Sequence, residues 1–172
     1  MSFKTLDVGC GYSKSHIKKG EIGIDLEKGL CDVQASTYYL PFRNQSFQKV
    51  VMSHILEHLT NISRVFEEIK GVLDRNGIVE VEVPNPHAFW VFKDIILHRK
   101  LLEDKTHVSS FNENQLVNLL AQLGFTTQSI SYVDTSWTKK RSFIHSFFYK
   151  LLFFVFPNFD KAIKVTAIKE ES

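Results

Sequence analysis

The residues in this sequence whose types and spacing could do chemistry are two acids, a pair of glycines and a set of histidines. Asp7-Val8-Gly9-Cys10-Gly11 closes an apolar run. Glycines there let the backbone turn tightly and approach a ligand with no Cβ in the way. Asp25 closes the next apolar run. A carboxylate in that place can accept two hydrogen bonds from a ribose diol, as in dinucleotide sites. A strand-ending turn followed by a solvated acid accounts for the same residues without a ligand. A nicotinamide dinucleotide is set aside, because its G-x-G-x-x-G loop needs a third glycine and Lys14 stands at that position.

His54-Ile55-Leu56-Glu57-His58 matches H-x-x-E-H, a zinc-protease pattern. That chemistry needs a helix presenting both histidines on one face. Here the motif begins at the end of an apolar strand, so no metal site is expected. As general bases, the candidates are His54, Glu57, His58, His87 and His107. His54 ranks first and His107 second, since both fall in segments expected near strand ends. Seven histidines are ordinary for this length, and each of these residues also has a local structural account.

Positioning such residues falls to the elements around them. Thr5–Val8, Ile22–Leu26, Cys31–Ala35, Lys49–Ser53, Gly77–Val83, Ser129–Val133 and Ile163–Ile168 are short runs, mostly β-branched and bounded by Gly, Pro or Asp, and read as strands. Thr60–Arg75 has helical spacing through Ile62, Val65, Phe66, Ile69, Val72 and Leu73, and Asn76-Gly77 closes it. Asn112–Leu123 repeats the pattern before Gly124. Alternating strand and helix implies an α/β fold with a largely parallel sheet. Ligands in such folds bind beyond the carboxyl ends of the strands. Residues 84–110 and 135–160 are long for simple connections and are expected to be substrate-side insertions in a single domain spanning 1–172.

A chain of 172 residues, 44% hydrophobic and 23% charged, has the composition of a globular protein. A net charge of +2 gives little long-range pull on a polyanion, so no nucleic-acid partner is expected. Cys10 and Cys31 have neither metal-type spacing nor a disulfide array, which points to a reducing cytoplasm. No secretory signal is read at the start of the sequence.

LDVGCG, then GIDLEKG, then LPFRNQSFQKVVMSHILEHL, then VLDRNGIVEVEVPNP, follow one another in an order and spacing that resemble the class I S-adenosylmethionine-dependent methyltransferases. The nearest branch is the small-molecule group often called type 11. The resemblance is strong over residues 4–85 and continues through HVSSFNENQLVNLLAQLGF. It implies a Rossmann-like sandwich with a seven-stranded, mostly parallel sheet whose last strand is antiparallel. It implies S-adenosyl-L-methionine as cofactor and methyl transfer as activity. By that resemblance Gly9, Cys10 and Gly11 pass under the methionine part, and Asp7 organises the loop. Asp25 holds the ribose hydroxyls, and Leu26 packs on the adenine. Ser36 and Leu40 belong to the adenine side, and His54 lies near the reacting end. Three departures stand out. Ser36 replaces an acid that many relatives carry, Gln48 replaces an aspartate, and only thirteen residues separate Gly11 from Asp25. The first helix is therefore expected to be very short or absent, offering less dipole to the cofactor carboxylate.

Residues 143–156, FIHSFFYKLLFFVF, hold six of the fifteen phenylalanines and follow Lys139-Lys140-Arg141. As a helix this segment is apolar on most sides and too short to span a bilayer. Three fates are open to it: ordinary core, a homodimer interface or substrate wall, or a peripheral membrane contact that would reach lipid-linked substrates. The acceptor is expected to be small or lipid-linked. A protein that binds S-adenosylmethionine but is inactive, acting as an adaptor through this aromatic face, is the alternative.

Overall fold

Residues 3–11, 21–29, 31–86, 106–134 and 161–170 are described in the computed structural model. Each run read as a strand is one. They form β1 (Phe3–Val8), β2 (Glu21–Asp25), β3 (Val33–Gln34), β4 (Phe47–Ser53), β5 (Leu73–Val83), β6 (Phe125–Asp134) and β7 (Lys161–Lys169). The helices are α1 (Ile62–Val72) and α2 (Glu113–Gln122). One seven-stranded sheet has the order β3-β2-β1-β4-β5-β7-β6. β1 to β5 pair in parallel, while β7 runs antiparallel to both β5 and β6. The last strand is thus reversed, as the sequence predicts. The order turns back at β1, with β2 on one side and β4 on the other. That is the point in an open sheet where a ligand crevice forms beyond the strand ends.

The alternation V-E-V-E-V in β5 sorts its two faces. Val79, Val81 and Val83 are buried, and Glu80 and Glu82 point the other way. The valines join a core with Leu6, Val8, Ile24, Val50 and Met52 from the neighbouring strands. α1 adds Val65, Phe66, Ile69 and Val72, and α2 adds Leu116 and Leu120. Phe66 meets Phe125 edge to face with ring centroids 5.5 Å apart, which ties α1 to the far strand β6.

Both helices carry side-chain caps. Asn61 Oδ1 accepts from the Arg64 backbone N–H at 3.1 Å. Asn112 and Gln115 make a reciprocal box at the start of α2. Helix α1 stops at Val72 rather than Arg75, although the apolar spacing continues. Leu73 is already extended and pairs with Phe47. The chain then bulges between the Phe47 and Lys49 pairings, with Asn76 in the left-handed region at φ 56°. Asn76-Gly77 therefore shapes a bulge inside β5 instead of closing the helix.

No helix among the described residues is long and apolar enough to cross a membrane. The expected short first helix, most of the insertion at 84–110 and the aromatic segment at 143–156 lie outside the described residues, as do Lys14 and His87.

Candidate functional site

The glycine loop is built by the pairing of β1 with β2. After Val8 the chain leaves the sheet, and the Gly9 and Cys10 N–H groups both donate to Ile24 O, at 2.9 and 3.0 Å. Gly9 has φ +72° and Gly11 φ +52°, a region that side chains with a Cβ enter only with strain. Their surroundings differ. A Cβ on Gly9 would come within 2.8 Å of Ile55 Cδ1, so this glycine permits contact with the segment after β4. A Cβ on Gly11 would meet nothing within 4 Å among the described residues.

Asp25 ties this loop to the end of β2. Its Oδ2 accepts from the Gly11 N–H at 2.9 Å, and its Oδ1 accepts from the Glu27 N–H at 3.0 Å. Each carboxylate oxygen has two lone pairs, so each keeps one for a further donor. Leu26, next along the chain, is 68% exposed. Asp7 sits half-buried one residue before the end of β1, level with Gly23 and Val51 on its neighbours. Cys10 is buried. Burial first, then Cys31 and the carboxylates of Asp7 and Asp25, push its thiol up to about 12, so it stays protonated and is no nucleophile at neutral pH.

Of the two remaining cofactor candidates, Ser36 lies in the turn after β3, where its Oγ accepts from the Tyr38 N–H at 3.2 Å. Leu40 is a core residue whose N–H donates to Glu68 Oε2 on α1 at 2.8 Å. The structure thus groups Asp7, Gly9, Cys10, Gly11, Asp25 and Leu26 around one loop. It leaves Leu40 with its side chain in the core.

The H-x-x-E-H stretch does not form a helix presenting both histidines. His54 is left-handed at φ 53°, and its N–H donates to Glu82 O at 2.9 Å. A single 3-10 turn follows at Leu56–His58. The two histidines therefore find separate partners. His54 lies between two carboxylates, with Nδ1 3.5 Å from Glu57 Oε1 and Nε2 3.3 Å from Glu82 Oε1. Hydrogen bonding to Glu57 and then Glu82 outweighs burial and raises the His54 pKa to about 9. Burial alone would raise Glu82, but His54 and Lys164 outweigh it and hold that carboxyl below its usual range. His58 bonds instead to Thr106, with 2.8 Å between Nδ1 and Oγ1. Its ring packs edge-on against His107 at 4.7 Å between centroids. Glu57 O accepts from the Val108 and Ser109 N–H groups at 2.9 and 3.1 Å, which anchors the segment carrying His107.

The sequence did not nominate Glu82 as a partner of His54. The signal was the acid alternation in β5, set against basic residues on the adjacent strands. Glu80 confirms the pattern by bridging Lys49 on β4 at 2.8 Å and Lys164 on β7 at 3.1 Å.

Residues 6–81 match the model of a methyltransferase domain family, Methyltransf_11. An uncharacterized protein of Methanocaldococcus jannaschii is 27% identical over 103 residues, covering 53% of this chain and 41% of that one. The chain thus spans well under half the length of that relative. Among solved structures, a SAM-dependent methyltransferase from Archaeoglobus fulgidus superposes with a TM-score of 0.65 at 19% identity, covering 98% of this chain and 86% of that one. A SAM-dependent methyltransferase from Thermotoga maritima, described as a possible histamine N-methyltransferase, gives a TM-score of 0.71 at 14% identity, covering 97% and 82%. The match over residues 6–81, the reversed last strand and the glycine loop ahead of an acid-tipped second strand together make the chain similar, in fold and in the order of its motifs, to the class I S-adenosylmethionine-dependent methyltransferases, a family whose cofactor is S-adenosylmethionine.

Proposed function

We propose that the chain transfers a methyl group from S-adenosylmethionine to a small or lipid-linked acceptor, with the cofactor held at Gly9–Gly11 and Asp25–Leu26. The observation that carries this reading is the pairing of a braced carboxylate with an exposed leucine beside a loop glycine. Asp25 is fixed by the Gly11 and Glu27 N–H groups and keeps acceptor capacity for a ribose diol. Leu26 offers an apolar face to a base, and Gly11 brings no Cβ of its own to the loop, with no described residue within 4 Å of where one would stand. These features are the kind that an adenosine group needs: acceptors for its ribose diol and an apolar face for its base. When bound, the cofactor supplies an electrophilic methyl on a sulfonium with a neutral leaving group.

What remains for the protein is alignment, which in well-oriented reactions contributes roughly 7–11 kcal/mol. The contact of Gly9 with Ile55 sets the glycine loop against the turn bearing Glu57 and His58, so a donor held at that loop would have its acceptor near that turn. Both ring nitrogens of His54 face carboxylates, leaving none to take a proton from an acceptor. His54 is therefore a positioning residue that fixes Glu57 and Glu82. His107, exposed and set edge-on against His58, stands on the acceptor side in this reading.

Calorimetric titration with S-adenosylhomocysteine tests the reading. Wild type should bind one equivalent. Asp25→Asn should lose a charge-assisted hydrogen bond worth about 1.5–3 kcal/mol, a weakening of roughly 10- to 150-fold. An unchanged affinity in Asp25→Asn would remove Asp25 from the site, and no binding by wild type would remove the proposal.

A further inference from the structure

The turn at Leu56–His58 and the segment at Thr106–Ser109 bring together three groups that holding the cofactor does not require. A carboxylate oxygen of Glu57 and one ring nitrogen from each of His58 and His107 lie within 4.8 Å of one another. The Glu57 side chain is only 3% exposed. Its Oε1 faces His54, but its Oε2 is buried with no hydrogen-bond partner among the described residues. A buried carboxylate oxygen left in that state is costly, and a cation beside it would remove the cost.

The surroundings hold the set in place. Two backbone bonds from Val108 and Ser109 to Glu57 O lock the His107 segment against the turn. Thr106 Oγ1 lies 2.8 Å from His58 Nδ1. When that hydroxyl accepts from Nδ1–H, it orients the ring and leaves the Nε2 lone pair available, which is how outer partners commonly fix a ligating histidine.

We propose that Glu57, His58 and His107 form a site for a divalent first-row transition-metal ion beside the glycine loop. Two imidazoles and one carboxylate suit zinc, iron, manganese or cobalt, whereas calcium and magnesium prefer oxygen donors throughout. Ligand bonds are about 2.1 Å, so two ligands on opposite sides of an ion are about 4.2 Å apart. The observed spread of up to 4.8 Å closes with a small movement of the exposed His107 ring. Three protein ligands leave at least one position open. An acceptor hydroxyl seated there would be oriented and would lose its proton to solvent more readily. The ion's binding stands apart from the methyl-transfer reading, but its role toward an oxygen acceptor rests on that reading.

Cobalt(II) is a direct probe because its visible absorption reports bound nitrogen and oxygen ligands. Full-length chain stripped with a chelator should bind about one Co2+ with a ligand-field spectrum. His58→Ala and His107→Ala should each weaken binding by at least about tenfold. Melting in metal-free buffer shows whether each variant is folded. Should His58→Ala fail to fold, His107→Ala on its exposed segment decides. Failure of wild type to bind Co2+, or equal affinity in folded His107→Ala, overturns the site. S-adenosylhomocysteine titration of the same samples keeps the two proposals separate. Co2+ bound without the nucleoside counts against the methyl-transfer reading alone.

Discussion

Replacing each loop glycine by alanine separates backbone strain from ligand contact. Both residues are left-handed, at φ +72° for Gly9 and +52° for Gly11, so alanine at either costs about 1–2 kcal/mol. Only Gly9 also has a neighbour. Its new Cβ would lie 2.8 Å from Ile55 Cδ1, 3.0 Å from Cγ1 and 3.3 Å from Cβ. The end of that side chain can swing away, but Ile55 Cβ is close to the backbone that leads into the Glu57 turn. Overpacking of this kind adds about 1–3 kcal/mol. Gly9→Ala should therefore lose about 2–5 kcal/mol of stability and Gly11→Ala about 1–2. Urea unfolding measures both. The order reverses for ligand binding relative to stability lost, since the Gly11 methyl projects into the space assigned to the cofactor. Gly11→Ala should weaken S-adenosylhomocysteine binding by at least about tenfold, equivalent to 1.4 kcal/mol, while losing no more stability than the backbone strain of about 1–2 kcal/mol. Equal stability losses in the two variants would refute the steric argument. A Gly11→Ala protein that binds the nucleoside normally would refute the placement of the ligand over that loop.

Glu80 gives a pH prediction. Burial would raise its carboxyl, but hydrogen bonds from Lys49 and Lys164 outweigh burial and lower it. A depressed carboxyl adds stability that is complete above the unfolded value, about 4.3, and is lost as pH falls through the folded value. The stability gap between wild type and Glu80→Gln should thus shrink between pH 6 and pH 3 in urea titrations, and a constant gap would contradict the ion-pair account. Phe66→Ala removes a fully buried ring and its edge contact with Phe125. It should cost about 3–5 kcal/mol of unfolding free energy, and a loss below 1 kcal/mol would mean that α1 does not anchor the core as described.

The parts of the fold legible in the sequence are those governed by local chemistry. Gly9, Asp25 and Pro84 punctuate short β-branched runs, so each strand is located by its sequence, although β5 and β6 begin four residues ahead of Gly77 and Ser129. Asn112 and Gln115 signal the start of α2 because a cap and its reply lie within one turn. The end of α1 was read too late, because apolar spacing continues through Leu73 while pairing with Phe47 pulls that residue into the sheet. Half the site was visible for the same local reason. The glycine loop and Asp25 sit at strand ends and meet through adjacent strands. The histidine cluster was not, since His58 meets Thr106 across 48 residues and His54 meets Glu82 across a strand pair. The H-x-x-E-H spacing forms no zinc-protease helix, in keeping with its start at a strand end. A left-handed His54 breaks the helix that the motif needs and sends its two histidines to different partners.

The central claim is that Gly9–Gly11 and Asp25–Leu26 hold the methyl donor. A crystal structure of the chain with S-adenosylhomocysteine tests it most directly. The account predicts both ribose hydroxyls within hydrogen-bond distance of the Asp25 carboxylate and the adenine against Leu26. A nucleoside bound elsewhere, with Asp25 still facing only Gly11 and Glu27, would contradict it.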